Sequence, residues 1–378
     1  MGSIQRIDGR LHLPALATAH SHAYRRALRG QAQRHVPAGA GAASLWTEAL
    51  HELIDNLTPE SLYQIARMAY EELRRGGVRT VGEFHTIHHQ PGGKPYASRV
   101  ELSEALINAA RAEGHRVCLV RVIQGRGGFD RQPEEPQLRC SDASLDVALR
   151  DVDDLWASYA DQPEVRIGVG VHGLGTVSPD WLPTIAEFAD RHHLPLHIAL
   201  AETTADVEAC VAETGKRPVE LLADLGVLCD RLVAVHATHV SPAEAELLGQ
   251  AQAYVCLCPT TERSRGGGLG DITALYQAGA RLCTGADGHV LTSPLDDLRS
   301  LELSERVRLG KGIVLAPPER TPAEELWHIG SELGSQACGF DDAGGTVRLE
   351  RAAPELSLVR EAQLLDAIVF GASDRVFL

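Results

Sequence analysis

Apolar runs alternate along this chain with stretches whose apolar positions recur every three to four residues. The apolar runs predict strands at 11–19, 78–84, 117–122, 165–171, 194–200, 232–235, 253–257 and 281–285. Helical spacing fills the intervals. One helix starts at Pro59 behind Thr58 as N-cap and stops at glycine. Others are predicted at 103–111, 145–159, 179–192, 205–212, 218–225, 242–249 and 272–278, with 296–303 and 323–337 after the last strand. Strict β/α alternation predicts a parallel sheet. Eight units predict an α/β fold of the closed (β/α)8 TIM type over residues 13–340, with an open doubly wound sheet as the alternative. Residues 1–12 read as the remnant of an N-terminal strand. The tail 341–378, with short strand-like runs and turn residues from 346 onward, reads as the rest of a small, reduced β appendage.

Composition narrows the class. The chain has 378 residues and 44% hydrophobic content but only 4% aromatics, so aliphatic side chains must fill the core. A net charge of −15 without a basic stripe argues against a nucleic-acid or membrane-surface partner. No apolar run is long enough to span a membrane and no signal peptide opens the chain, which predicts a cytoplasmic protein. The eight cysteines are scattered, mostly in apolar runs, and read as reduced thiols.

The 17 histidines change the picture because many fall where strands end. Alternate residues of a strand face one side, so His20 and His22, separated by Ser21, form a ready pair of ligands for zinc or a similar ion. His85, His172, His197, Glu202, His236 and Asp287 are expected to cluster at the C-terminal ends of the other strands, where barrels of this kind place their chemistry. Taken singly, each has a plainer reading: His20 and His22 as polar residues at a strand–loop junction, Glu202 as a helix-start carboxylate, Asp287 with Gly288 as a turn. The glycines of 263–270 read as a mobile active-site loop, since no phosphate-binding pattern surrounds them.

With these residues in view, the sequence resembles the amidohydrolase superfamily, and within it the formimidoylglutamate deiminases. The resemblance rests on AHSHAYRRALRG at 19–30, GEFHTIHHQPGGKPYA at 82–97, VGVHGL at 169–174, HIALAET at 197–203, VHATH at 235–239, CLCPTTE at 256–262 and GADGHV at 285–290. It implies a small-molecule substrate and one zinc (or iron) ion held by His20, His22 and Asp287. It also implies catalytic roles for Glu202, His236 and Asp287, and release of ammonia from a C–N bond by metal-activated water. Arg25, Trp46, His85, His172 and Thr260 would then surround the substrate.

The chain departs from that pattern where metal and substrate should be held. The superfamily's fifth-strand ligand position is occupied by Ala199, whose methyl group cannot donate. His197 lies two residues deeper, ~6.6 Å along the strand. Three readings follow: an inactivated variant, a weaker site of three protein ligands plus water, or a barrel that has left metal chemistry for acid–base lyase, isomerase or ligand-binding work. The arginines expected to hold two substrate carboxylates are missing from the segments 46–49 and 172–175, and Arg25 stands where the deiminases place Gln. The expected substrate is therefore an imine, amidine or cyclic amide with fewer negative charges than formimidoylglutamate. The short N-terminal segment leaves the C-terminal strands without an evident partner, which a homodimer would supply.

Overall fold

The polypeptide backbone closes on itself through eight parallel strands laid down in sequence order. In the computed structural model, which describes residues 4–8, 10–31, 33 and 42–378, two strands come first, β1 (Gln5–Ile7) and β2 (Arg10–Pro14). The barrel follows as β3 (Leu16–Ser21), β4 (Val78–His85), β5 (Arg116–Ile123), β6 (Val165–Val171), β7 (Leu196–Leu200), β8 (Leu232–His236), β9 (Tyr254–Leu257) and β10 (Arg281–Thr284), each hydrogen-bonded to the next. A last strand, β11 (Thr346–Arg348), lies outside it.

Closure is made where the chain leaves β10. The Asp287 N–H donates to the His20 carbonyl at 3.0 Å, and the His22 N–H donates to the Asp287 carbonyl at 3.1 Å. The Thr18 hydroxyl adds a bond from the Ala286 N–H at 2.8 Å. The seam of the barrel is thus tied by the backbone of the residues that the sequence singles out as metal ligands.

Strand alternation sorts the core into two layers. On β5, Val117 and Leu119 pack outward against helices, while Cys118 and Val120 point into the barrel. The interior is filled by small residues, Ala19, Val233, Val235 and several cysteines, around Phe84. That is how a chain so poor in aromatics fills a narrow barrel.

Two stretches differ from expectation. The apolar run 11–19 is two strands in two sheets, broken at Ala15. Pro14 has no N–H to continue a ladder, and the Ala15 N–H is taken by the Gly345 carbonyl at 3.0 Å. β2 pairs antiparallel with β1 on one side and β11 on the other. The partner left open for the C-terminal strand is therefore β2 of the same chain, and that strand gives no reason to invoke a second copy. Beyond β11 the tail is helical rather than stranded. Leu364–Gly371 forms a helix that buries Leu364, Leu365, Ile368 and Val369 against the helices Pro294–Leu309 and Pro322–His328. Those four positions repeat at helical spacing, a signal masked by the residues' β propensity.

Gly285 stands at the seam, where an added Cβ would lie 2.8 Å from the His20 Cβ and 2.9 Å from the His20 carbonyl oxygen. Gly285→Ala is expected to cost ~1–3 kcal/mol by forcing β3 and β10 apart. Urea unfolding that gives wild-type stability for this variant would refute the close approach.

Candidate active site

His20 and His22 face inward because Ser21 between them is held from the other side. The Ser21 hydroxyl donates to Glu83 Oε2 at 2.6 Å and meets His289 Nε2 at 2.9 Å, and the Ala23 N–H donates to Glu83 Oε1 at 2.8 Å. Glu83 and Ser21 are fully buried. Phe84 packs against both inward imidazoles, with ring centroids 4.7 Å from His20 and 5.4 Å from His22.

The two imidazoles converge on one atom. His20 Nε2 and His22 Nε2 each lie 3.6 Å from Asp287 Oδ1. Donors bound at ~2.1 Å to one tetrahedral ion stand ~3.4 Å apart, so the spacing of each imidazole to Asp287, taken pairwise, is that of two ligands of one ion. Asp287 Oδ2 is buried without a hydrogen-bond partner. One donor atom each from His20, His236 and Asp287 lie within 4.8 Å of one another, a set that does not include His22. These donors fit a divalent ion with three protein ligands. Ala199 contributes no donor; it lines the adjoining cavity.

Backbone strain concentrates here. Ala201, His236, Ala237 and Asp287 all have positive φ, at 47°, 66°, 51° and 39°. Non-glycine residues adopt that region only when their surroundings hold them there, which is common at functional sites.

His236 stands between two carboxylates. Its Nε2 is 3.9 Å from Glu202 Oε2 and its Nδ1 is 3.3 Å from Glu262 Oε1, which also accepts the Cys258 N–H at 3.0 Å. Burial works against charging this imidazole, but Glu202, Cys258 and Glu262 outweigh it and hold the pKa well above the usual histidine value. Glu202 in turn pairs with Arg265, Nη1 to Oε1 at 2.5 Å. Burial raises its pKa, and His236 with Arg265 brings it below the ordinary value.

A cavity of about 510 Å³ opens beside this cluster, bordered by Tyr24, Arg25, Gln124, His172, Ala199 and Glu202 among others. Arg25, on the turn after β3, is nearly buried and donates from Nη1 to Asp287 Oδ1 at 2.7 Å. Burial pulls the His172 pKa down to about 4, which keeps that ring neutral. A second cavity, about 500 Å³, lies on the far side of Glu202 and Arg265, and Trp46 borders that one. His85 and Thr260 border neither. His85 is buried edge-on to His88, 5.0 Å between ring centroids. The Thr260 N–H donates to Asp297 Oδ1 at 3.2 Å. His197 is turned toward the Ala337 carbonyl, 3.2 Å from its Nε2, and burial lowers its pKa to about 3. It is anchored deep in the barrel and cannot stand in for Ala199.

Sequence reasoning overlooked Glu83, Glu262, Arg265 and His289. Glu83, Glu262 and His289 sit inside quoted motifs, and Glu83 is a charged residue within an apolar strand run. That placement is a usable signal, since a buried carboxylate must find donors.

The chain matches the amidohydrolase family over residues 11–373. It is 34% identical over 367 residues to formimidoylglutamate deiminase of Pseudomonas aeruginosa, covering 96% of this chain and 77% of that one. The crystal structure of an amidohydrolase from Brucella melitensis superposes with a TM-score of 0.86 at 28% identity, covering 99% and 90% of the two chains. Atrazine chlorohydrolase from Arthrobacter aurescens, solved complexed with zinc, shares the fold at a TM-score of 0.80 and 23% identity, with coverage of 96% and 81%.

Burial pushes the Glu83 carboxyl from its ordinary 4.5 up to about 7, against the bonds from Ser21 and Ala23. Between those two values the folded chain keeps a proton that the unfolded chain has released. This group's contribution is therefore full below pH 4.5 and fades as pH rises through 7. Relative to Glu83→Gln, wild-type stability should fall by up to ~3 kcal/mol across that window. Chemical denaturation of both proteins at several pH values checks this; parallel profiles would refute it.

Proposed function

We propose that this chain, which belongs to the amidohydrolase family, hydrolyses a C–N bond of a small polar molecule in the manner of a deaminase or deiminase. One zinc or iron ion would be held by His20, His22 and Asp287. The observation that carries this reading is the convergence of both Nε2 atoms on Asp287 Oδ1, beside a cavity that Glu202 also borders. When bound, such an ion supplies Lewis acidity that lowers the pKa of a water toward ~7.

The remaining work falls to this chain's side chains. Asp287 accepts the proton of the attacking water. His236, charged between Glu202 and Glu262, donates a hydrogen bond to the attacking oxygen or to the substrate's C=N group. Glu202 carries a proton to the departing nitrogen, which leaves as ammonia while a carbonyl forms. The pKa of Glu202 is lowered, so it starts as a base: it takes one proton of the water and passes it to the nitrogen, and the proton held by Asp287 follows, so both water protons leave in the ammonia. In the cavity, His172 remains a neutral substrate contact, and Arg25 offers one guanidinium. A single buried arginine suits a substrate with one negative group better than the dianion formimidoylglutamate. Trp46 lies across Glu202 in the second cavity, where it would touch only a substrate that passes that residue.

Eight unpaired cysteines, seven of them buried, support a reducing compartment such as the cytoplasm. Among the described residues no helix is long and apolar enough to cross a membrane.

A second reading keeps the barrel without the ion, as an acid–base lyase or isomerase or as a ligand-binding protein. Ala199 in the fifth-strand position and the Arg25–Asp287 pair favour it.

Metal analysis without chelator separates the two. The wild-type chain is expected to hold about one zinc or iron, and Ala199→His to hold it more tightly. If both are empty, the metal reading falls. With imines and amidines as candidate substrates, Glu202→Gln and His236→Asn should each lower kcat by ~10²–10⁴, followed by ammonia release. Wild-type rates in either variant would remove that residue from the mechanism.

A further inference from the structure

Arg25 sits against the proposed ligand cluster although a cavity is open beside it. Its Nη1 is 2.7 Å from Asp287 Oδ1, the atom that His20 and His22 each approach at 3.6 Å. Arg25 Nε is buried and has no hydrogen-bond partner. Among the described residues, Asp287 is the only carboxylate that forms an ion pair with this guanidinium. A cation bound to Oδ1 at ~2.1 Å would lie within ~5 Å of Nη1. Two cationic centres that close, shielded from water, repel strongly. The site thus brings its own positive charge to the oxygen that a metal must use, and Ala199 supplies no extra ligand to offset the conflict.

Resting on the metal-holding reading above, we propose that Arg25 is a built-in counter-cation of Asp287 that an incoming metal ion has to displace. Arg25 therefore sets the metal affinity of the site. Loading and release of the guanidinium are one event: the ion takes Oδ1, and Arg25 turns into the cavity of about 510 Å³ that it already borders. There it becomes free to meet an anionic group of the substrate. Before an ion arrives, Arg25 satisfies the charge of Asp287.

Cobalt(II) is the probe, because its visible absorption reports ligation without any turnover. Metal-free wild-type, Arg25→Gln and Arg25→Lys chains are titrated in competition with a chelator. Gln removes the charge but keeps an N–H for Oδ1. Arg25→Gln is expected to bind cobalt about tenfold tighter or more than wild type, and Arg25→Lys, which retains the charge, by a smaller factor. Equal or weaker binding by Arg25→Gln overturns the proposal while leaving the metal-dependent reading intact. If no chain binds cobalt, Ala199→His included, the functional reading falls and this inference with it. A second measurement needs no variant: in wild-type protein labelled with ¹⁵N-arginine, the buried Nε resonance should shift in step with occupancy by zinc, which is diamagnetic and so adds no paramagnetic shift of its own. A resonance unmoved at full occupancy also overturns the proposal.

Discussion

Asp287 is the residue on which fold and chemistry both depend. Its backbone closes the barrel against His20 and His22, and its carboxylate gathers His20, His22 and Arg25 around one oxygen. Burial disfavours its charge, yet Arg25, His20, His236 and His22 hold its pKa well below the ordinary carboxylate value. A buried charge survives only with such partners. The same hydrogen bonds that fix the barrel's circumference therefore fix the distance between the proposed ligands, and one cannot be altered without the other.

Two further carboxylates extend that rigidity outward. Glu83 clamps Ser21 and Ala23, so the strand end that presents His20 and His22 cannot twist. Glu262 accepts the Cys258 N–H and meets His236 Nδ1, leaving the opposite nitrogen of the ring toward Glu202. Neither touches the cavity itself. Both do what outer partners of a metal or catalytic centre commonly do, which is to settle ring orientation before any ligand arrives.

Two positions beside the proposed acid–base groups differ from the pattern that the family resemblance implies. Ala199 leaves an open side facing the cavity, and Arg25 brings a cation to the ligand oxygen. The two act in the same direction, since a missing donor and an added charge both weaken the hold on an ion. A fixed guanidinium in the cavity also changes which molecules fit there. In the proposed reading the chain trades metal affinity for an arginine that recognises a single anionic group.

By itself the sequence determined the eightfold β/α alternation, and with it the parallel barrel, because strand and helix periodicity are local properties of consecutive side chains. It also determined that histidines and acids fall at strand ends, and through the resemblance it implied that Ala199 stands where a donor is expected. Only the tertiary structure decided what lies across space. It split 11–19 between two sheets at Ala15, and it paired β11 with β2 of the same chain. It separated Trp46 from His172 into different cavities, and it withdrew His85 and Thr260 from both. Arg25 against Asp287, 262 residues away along the chain, is the sharpest case. No periodicity encodes that contact, because it exists only once the last barrel strand has closed on the first.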